Sequence, residues 1–213
     1  MLKLQRFVFN LFYENTYLIW DSESGEAAVI DPGMNDENEE TAFKNFIEKN
    51  SLQMKYLFNT HCHIDHILGN HFVKSNYDVK YYAPKDDLFL LELMNEQAKM
   101  FDIKIKESPK PDYFITEDLQ LNLGEQNLNF IFTPGHTPGE FCIYNQTEKI
   151  LFSGDVLFKE SIGRTDLWGG NYSQLINSIK TKIFSLDDNT KVYPGHESET
   201  TIAHEKKYNQ FLI

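Results

Sequence analysis

Six residues constrain this chain more than any other stretch: His61-Cys62-His63-Ile64-Asp65-His66, directly after a short apolar run at 56–58 and Asn59-Thr60. In extended backbone, alternate side chains share a face. His61 and His63 therefore converge on one point, while Cys62 turns away and reads as a small buried hydrophobe. Asp65 and His66 meet the same space as the chain bends into a helix expected to reach about Lys74. Four ligand-type side chains so close together repel protons and lose solvation unless a cation lies among them. Whatever fold this chain adopts must bring further structure around that loop.

Three distant segments have the form such a scaffold requires. Thr133-Pro134-Gly135-His136 places a histidine on a tight turn after a strand-like run, and Ser153-Gly154-Asp155 ends another run with a carboxylate. Tyr193-Pro194-Gly195-His196 repeats the histidine version after the last strand. Polar side chains at strand ends beside glycine or proline are where layered α/β folds collect their sites.

Hydrophobic periodicity supplies the scaffold. Period-2 or short apolar runs predict strands near 2–9, 16–20, 27–30, 56–58, 79–82, 119–123, 128–133, 141–144, 149–153 and 191–193. Period-3.6 patterns predict helices over 36–49, 86–101 and 172–184, with a short closing helix within 199–210. Residues 102–118, charged and proline-containing, read as a loop. Each half of the chain gives strands and then helices. That order predicts an α/β protein built as a four-layer α/β/β/α sandwich, a single domain over residues 1–213.

Charge and composition narrow the partners. Thirty-two acidic against 20 basic residues give a net charge of −12, a field that repels phosphate backbones and anionic lipid, so neither nucleic acid nor membrane is expected. Two cysteines, Cys62 and Cys142, make no disulfide framework, and Cys142 reads as core. The N-terminus lacks the apolar segment of a signal peptide, and no stretch is long enough for a transmembrane helix, so a cytoplasmic location is expected. The 17 Phe and 11 Tyr read as core material, because the interleaved basic residues of a nucleic-acid groove are missing. His71 and His204 lie among polar neighbours on helical segments and read as surface residues.

Together, the HxHxDH loop, GHTPG at 135–139, SGDVLF at 153–158 and the terminal PGH resemble the metallo-β-lactamase-fold hydrolases over nearly the whole chain. Within that superfamily the pattern is similar to the short, single-domain glyoxalase II-like proteins, the hydroxyacylglutathione hydrolases. The resemblance implies His61, His63 and His136 as ligands of one metal, Asp65, His66 and His196 as ligands of a second, and Asp155 as the bridge. Two divalent cations are then expected, zinc first, with iron or manganese compatible with the same nitrogen and oxygen donors. A water activated between the cations would attack the carbonyl of a small-molecule thioester such as S-lactoylglutathione, with Asp65 and Asp155 the catalytic carboxylates. Arg164 stands where the family uses a basic residue toward a glutathione carboxylate; its alternative is an ion pair with Asp166. The chain departs from the family at Thr165, Asp166 and Ser198, where aromatic residues are usual. Only 17 residues follow His196, too few for the C-terminal helical domain that adds glutathione contacts. Two other activities remain open: an oxidoreductase resembling the mononuclear-iron persulfide dioxygenases, and a lactonase or small-ester hydrolase.

Overall fold

In the computed structural model, which describes residues 1–213, the chain begins with β1 (Leu2–Phe9), β2 (Glu14–Asp21) and β3 (Glu26–Ile30). The helix α1 (Glu37–Lys49) follows, with the Asp36 carboxylate accepting from the Asn38 and Glu39 backbone N–H groups at its N-terminus. Next come β4 (Gln53–Phe58), the single-turn α2 (Ile64–Ile67), α3 (Asn70–Asn76) and β5 (Lys80–Pro84). A 3₁₀ turn, Lys85–Asp87, leads into α4 (Leu88–Glu92) and α5 (Met94–Phe101), and β6 (Tyr113–Ile115) closes the first half. The second half runs β7 (Gln120–Leu123), β8 (Gln126–Phe132), β9 (Phe141–Asn145), β10 (Ile150–Gly154), β11 (Leu157–Phe158) and β12 (Ser161–Ile162). It ends with α6 (Tyr172–Thr181), β13 (Lys191–Pro194), β14 (Thr200–Thr201) and α7 (Ile202–Tyr208).

Two six-stranded sheets result, in the orders β1-β2-β3-β4-β5-β6 and β14-β13-β10-β9-β8-β7, with β11 and β12 as a separate hairpin. Strand alternation divides the apolar residues among three cores. Tyr17, Ile19, Phe58 and Tyr82 from the first sheet meet Phe130, Ile143 and Phe152 from the second, with the Phe58 and Phe130 rings 5.4 Å apart. Their strand neighbours Leu18 and Leu57 face the other way, onto Phe43, Ile47, Phe72 and Leu90 of the first helical layer. Leu151 and Val192 do the same against Leu175, Ile179 and Ile202. Helix, sheet, sheet and helix thus form the expected four layers, and Cys62 and Cys142 are buried in the outer two cores. No helix is long and apolar enough to cross a membrane.

The structure departs from the periodicity in three places. The helix expected to reach about Lys74 is interrupted at Leu68-Gly69, which separates α2 from α3. The pattern over 86–101 breaks at Leu93, whose backbone (φ −82°, ψ 3°) separates α4 from α5. The 102–118 segment contains β6, which pairs in parallel with β5. The apolar spacing runs through the break at Leu93, and a three-residue strand is too short to produce a period.

Candidate metal centre

All the sequence-marked site residues lie at one end of the sandwich, just beyond the C-terminal ends of strands. His61, His63, Asp65 and His66 follow β4, His136 follows β8, Asp155 follows β10 and His196 follows β13. The structure brings the seven together. Ligand-capable atoms of His61, His63 and His136 all lie within 4.8 Å of one another, and those of Asp65, His66 and His196 form a second such group. Asp155 lies between the two groups. Its Oδ2 is 3.6 Å from Nε2 of both His136 and His196, and its Oδ1 is 3.5 Å from His66 Nε2. Asp65 Oδ2 is 3.1 Å from His196 Nε2.

The surroundings fix which imidazole nitrogen faces the centre. Thr60 Oγ1 donates to Asp31 Oδ2 at 2.6 Å, so its lone pair accepts from His61 Nδ1 at 3.1 Å, leaving His61 Nε2 toward the centre. His136 Nδ1 donates to the Arg164 carbonyl at 2.7 Å and His196 Nδ1 to the Phe12 carbonyl at 3.2 Å. Anchoring the outer nitrogen in this way is how metal-binding histidines are oriented. His63 presents Nδ1 instead, 2.8 Å from His136 Nε2. Two imidazole nitrogens that close need a proton or a cation between them.

Electrostatics divide the cluster. Burial, reinforced by neighbouring imidazoles, lowers His61, takes His63 down to about 3 and His136 to about 4, so this group is neutral and free to donate lone pairs. Against the opposing effect of burial, Asp65, Asp155 and Asp31 raise His66, and Asp155 and Asp65 raise His196. Asp65 itself is held below its ordinary value by His66 and His196 although burial works the other way. His61 Nε2, His66 Nε2 and Asp155 Oδ1 are buried without a hydrogen-bond partner. Such orphaned donors cost free energy unless a cation occupies the space between them. The residues fit a pair of divalent ions.

A cavity of about 410 Å³ opens onto this cluster. Phe12 and Phe101, their rings 4.9 Å apart, form one wall, and Leu167 and Trp168 contribute another. Arg164 lies on its rim, with Nε and Nη2 held by the Asp166 carboxylate at 2.7 and 2.8 Å. His71 is exposed and His204 is half-buried against Glu160, both away from the centre.

Sequence reasoning missed the layer behind the ligands. Asp31 reads as part of a turn, yet its carboxylate accepts from Thr60 N and Oγ1 and lies 3.2 Å from His66 Nδ1. Glu140 is fully buried and accepts from the Asp155 backbone N–H at 2.8 Å. The available signal for both was an acidic residue at a β-strand end, in Ile30-Asp31-Pro32 and Pro138-Gly139-Glu140.

The family model described as the metallo-beta-lactamase superfamily matches residues 10–196, a span that begins before β2 and ends on the last histidine of the cluster. The chain belongs to that superfamily. Among curated relatives, the hydroxyacylglutathione hydrolase GloC of Haemophilus influenzae is 39% identical over 203 residues, covering 94% of this chain and 93% of that protein. The BLEG-1 B3 metallo-beta-lactamase superposes with a TM-score of 0.89 at 32% identity, covering 100% of this chain and 99% of that one. TTHA1623, solved in a di-iron-bound form, gives a TM-score of 0.87 at 31% identity, covering 98% of this chain and 100% of that one.

Proposed function

We propose that this superfamily member is a dinuclear metallohydrolase that cleaves the thioester of a small hydroxyacyl thioester such as S-lactoylglutathione. The observation that carries the reading is the pair of three-residue donor groups on either side of Asp155. His61, His63 and His136 would hold one ion, Asp65, His66 and His196 the other, and Asp155 would touch both. Two bound divalent ions would supply Lewis acidity, making a water nucleophilic near neutral pH and polarising a carbonyl. Zinc suits these nitrogen and oxygen donors, as does iron, the metal of the TTHA1623 structure.

The chain's own residues do the rest. The three outer-nitrogen contacts described above orient His61, His136 and His196, and Asp65 and Asp155 direct carboxylate oxygens into the centre beside the cavity. The aromatic walls exclude water and hold the acyl and thiol portions against the centre. A thiol with a pKa of about 8.5 leaves as thiolate without a strong general acid, which suits a site that offers none. Arg164 is the available cation for a substrate carboxylate. Its pair with Asp166 is exposed and therefore weak, so a bidentate carboxylate can compete for it. The GloC relative's hydroxyacylglutathione activity supports the thioester, and the net negative surface supports a small-molecule substrate over a nucleic acid.

The test is kcat/KM for S-D-lactoylglutathione with zinc-loaded and iron-loaded protein under anaerobic conditions. A value above about 10⁴ M⁻¹s⁻¹ is expected, with turnover abolished in His63→Ala and Asp155→Ala. Full activity in either variant refutes the reading. Activity that needs iron and consumes O₂ on a persulfide would replace it with the dioxygenase reading, and turnover of lactones alone with the ester-hydrolase one.

A further inference from the structure

Two backbone N–H groups alternate with the donors of the first ligand loop: Cys62 lies between His61 and His63, and Ile64 between His63 and Asp65. Both are taken by buried side chains from the segment between β5 and β6, Asp87 at the end of the 3₁₀ turn and Gln97 in α5. Cys62 N–H donates to Asp87 Oδ2 at 3.3 Å and Ile64 N–H to Gln97 Oε1 at 3.2 Å. Gln97 is held in turn through Nε2, which donates to the Leu90 carbonyl at 2.8 Å. Asp87 also reaches the second half of the chain. Thr137 Oγ1 donates to its Oδ2 and the Gly139 N–H to its Oδ1, each at 2.7 Å. Gly139 permits this approach, since a Cβ there would stand 2.7 Å from Asp87 Oδ1.

One carboxylate thus ties the turn that carries His136 to the loop that carries His61 and His63. Asp87 is fully buried and does not line the cavity, whereas Gln97, almost fully buried, forms part of the cavity wall. An isolated carboxylate in such a place would be costly; three donors to two oxygens offset much of that cost.

We infer that Asp87 and Gln97 are positioning residues of the metal centre, holding the 61–65 loop and the His136 turn in register so that His61, His63 and His136 stand preassembled for their ion. This rests on the ligand assignment made under the proposed function. Asp87 acts on both sides of that first donor group, whereas Asp65, His66 and His196 receive no contact from it.

The test uses metal-stripped full-length protein titrated with zinc against a chromophoric chelator. Wild-type protein is compared with Asp87→Asn, whose amide has one acceptor oxygen for three donors. Each is measured alone, in a His136→Ala background that cripples the first donor group, and in a His196→Ala background that cripples the second. Outer contacts to ligand loops are worth about 10–100-fold in metal affinity. Asp87→Asn should weaken zinc by that factor in the His196→Ala background and by less than threefold in the His136→Ala background. Equal losses in both backgrounds, or none in either, overturn the inference. Should Asp87→Asn fail to fold, Thr137→Val removes only the hydroxyl contact and should show the same asymmetry at about three- to tenfold; its absence is equally decisive. Wild-type protein that binds no zinc at all would instead refute the ligand assignment.

Discussion

Gly195, at the end of β13, offers a perturbation that moves one carboxylate without removing it. Its N–H donates to the Gly154 carbonyl at 2.8 Å and its carbonyl accepts from Asn15 at 2.7 Å. Its φ lies outside the left-handed region, so alanine can adopt this backbone. A Cβ at that position would nevertheless stand 2.3 Å from Asp155 Oδ1 and 2.7 Å from His66 Cε1, whereas ordinary contacts begin at 3.4 Å. Asp155 must therefore retreat by about 1.1 Å, the difference between 3.4 and 2.3. Swinging aside would carry the carboxylate away from His66, His136 and His196, which its oxygens now approach to 3.5–3.6 Å. Displacing a reacting group by about 1 Å costs roughly 100-fold in rate, or about 2.7 kcal/mol of barrier. Gly195→Ala is thus expected to lower kcat/KM for S-D-lactoylglutathione by about that factor. Far-UV circular dichroism should be unchanged, since the strand bonds survive. Activity within threefold of wild type at full metal loading would show that Asp155 does not need its position, and the reasoning would fail.

Two further outcomes can be checked directly. Because His66 and His196 are raised by Asp155 and Asp65 while His63 and His136 stay neutral to about 3 and 4, zinc uptake at pH 7 should release at least one proton from the Asp65–His66–His196 side, besides any from a metal-activated water. Calorimetry in buffers of different ionisation enthalpy measures this, and a His66→Ala, His196→Ala double variant that released as many protons as wild type would contradict it. Removing the Asp36 cap of α1 by Asp36→Ala should cost about 1 kcal/mol and lower Tm by about 2–4 °C without changing metal affinity; an unchanged melting curve would mean that solvent replaces the cap fully.

What could be read from sequence and what could not separate along a physical line. Each member of the seven-residue cluster announces itself locally, either by the spacing of His61, His63, Asp65 and His66 or by a glycine next to a strand end. The layers were legible for the same reason, because period-2 and period-3.6 patterns are local. Asp87 and Gln97 carry no such mark. Asp87 meets Gly139 across 52 residues of chain, and an aspartate opening a helix looks like an ordinary N-terminal residue until the fold buries it. The break at Leu93 was invisible because Leu88, Leu91, Met94, Ala98 and Phe101 keep a helical spacing through it. The sequence leaves Arg164 two roles, a grip on a substrate carboxylate or an ion pair with Asp166. The structure pairs its guanidinium with Asp166 and uses its carbonyl to orient His136, a backbone function that no side-chain pattern encodes.

The division of donors between the two halves also bears on how the protein reaches its native state. His61, His63, Asp65 and His66 are neighbours in the unfolded chain, whereas His136, Asp155 and His196 arrive only when the second sheet has docked, the last of them 135 residues after His61. An ion that meets the denatured protein therefore finds a partial, low-affinity site in the first loop, and whatever it gains there subtracts from the stabilisation it gives the folded state. Closing the remaining loops is slow compared with local helix formation. On the proposed ligand assignment, an ion would therefore not guide the halves together but would seal a docking that side chains must first achieve. Refolding should proceed at nearly the same rate with or without zinc, while unfolding slows when zinc is bound.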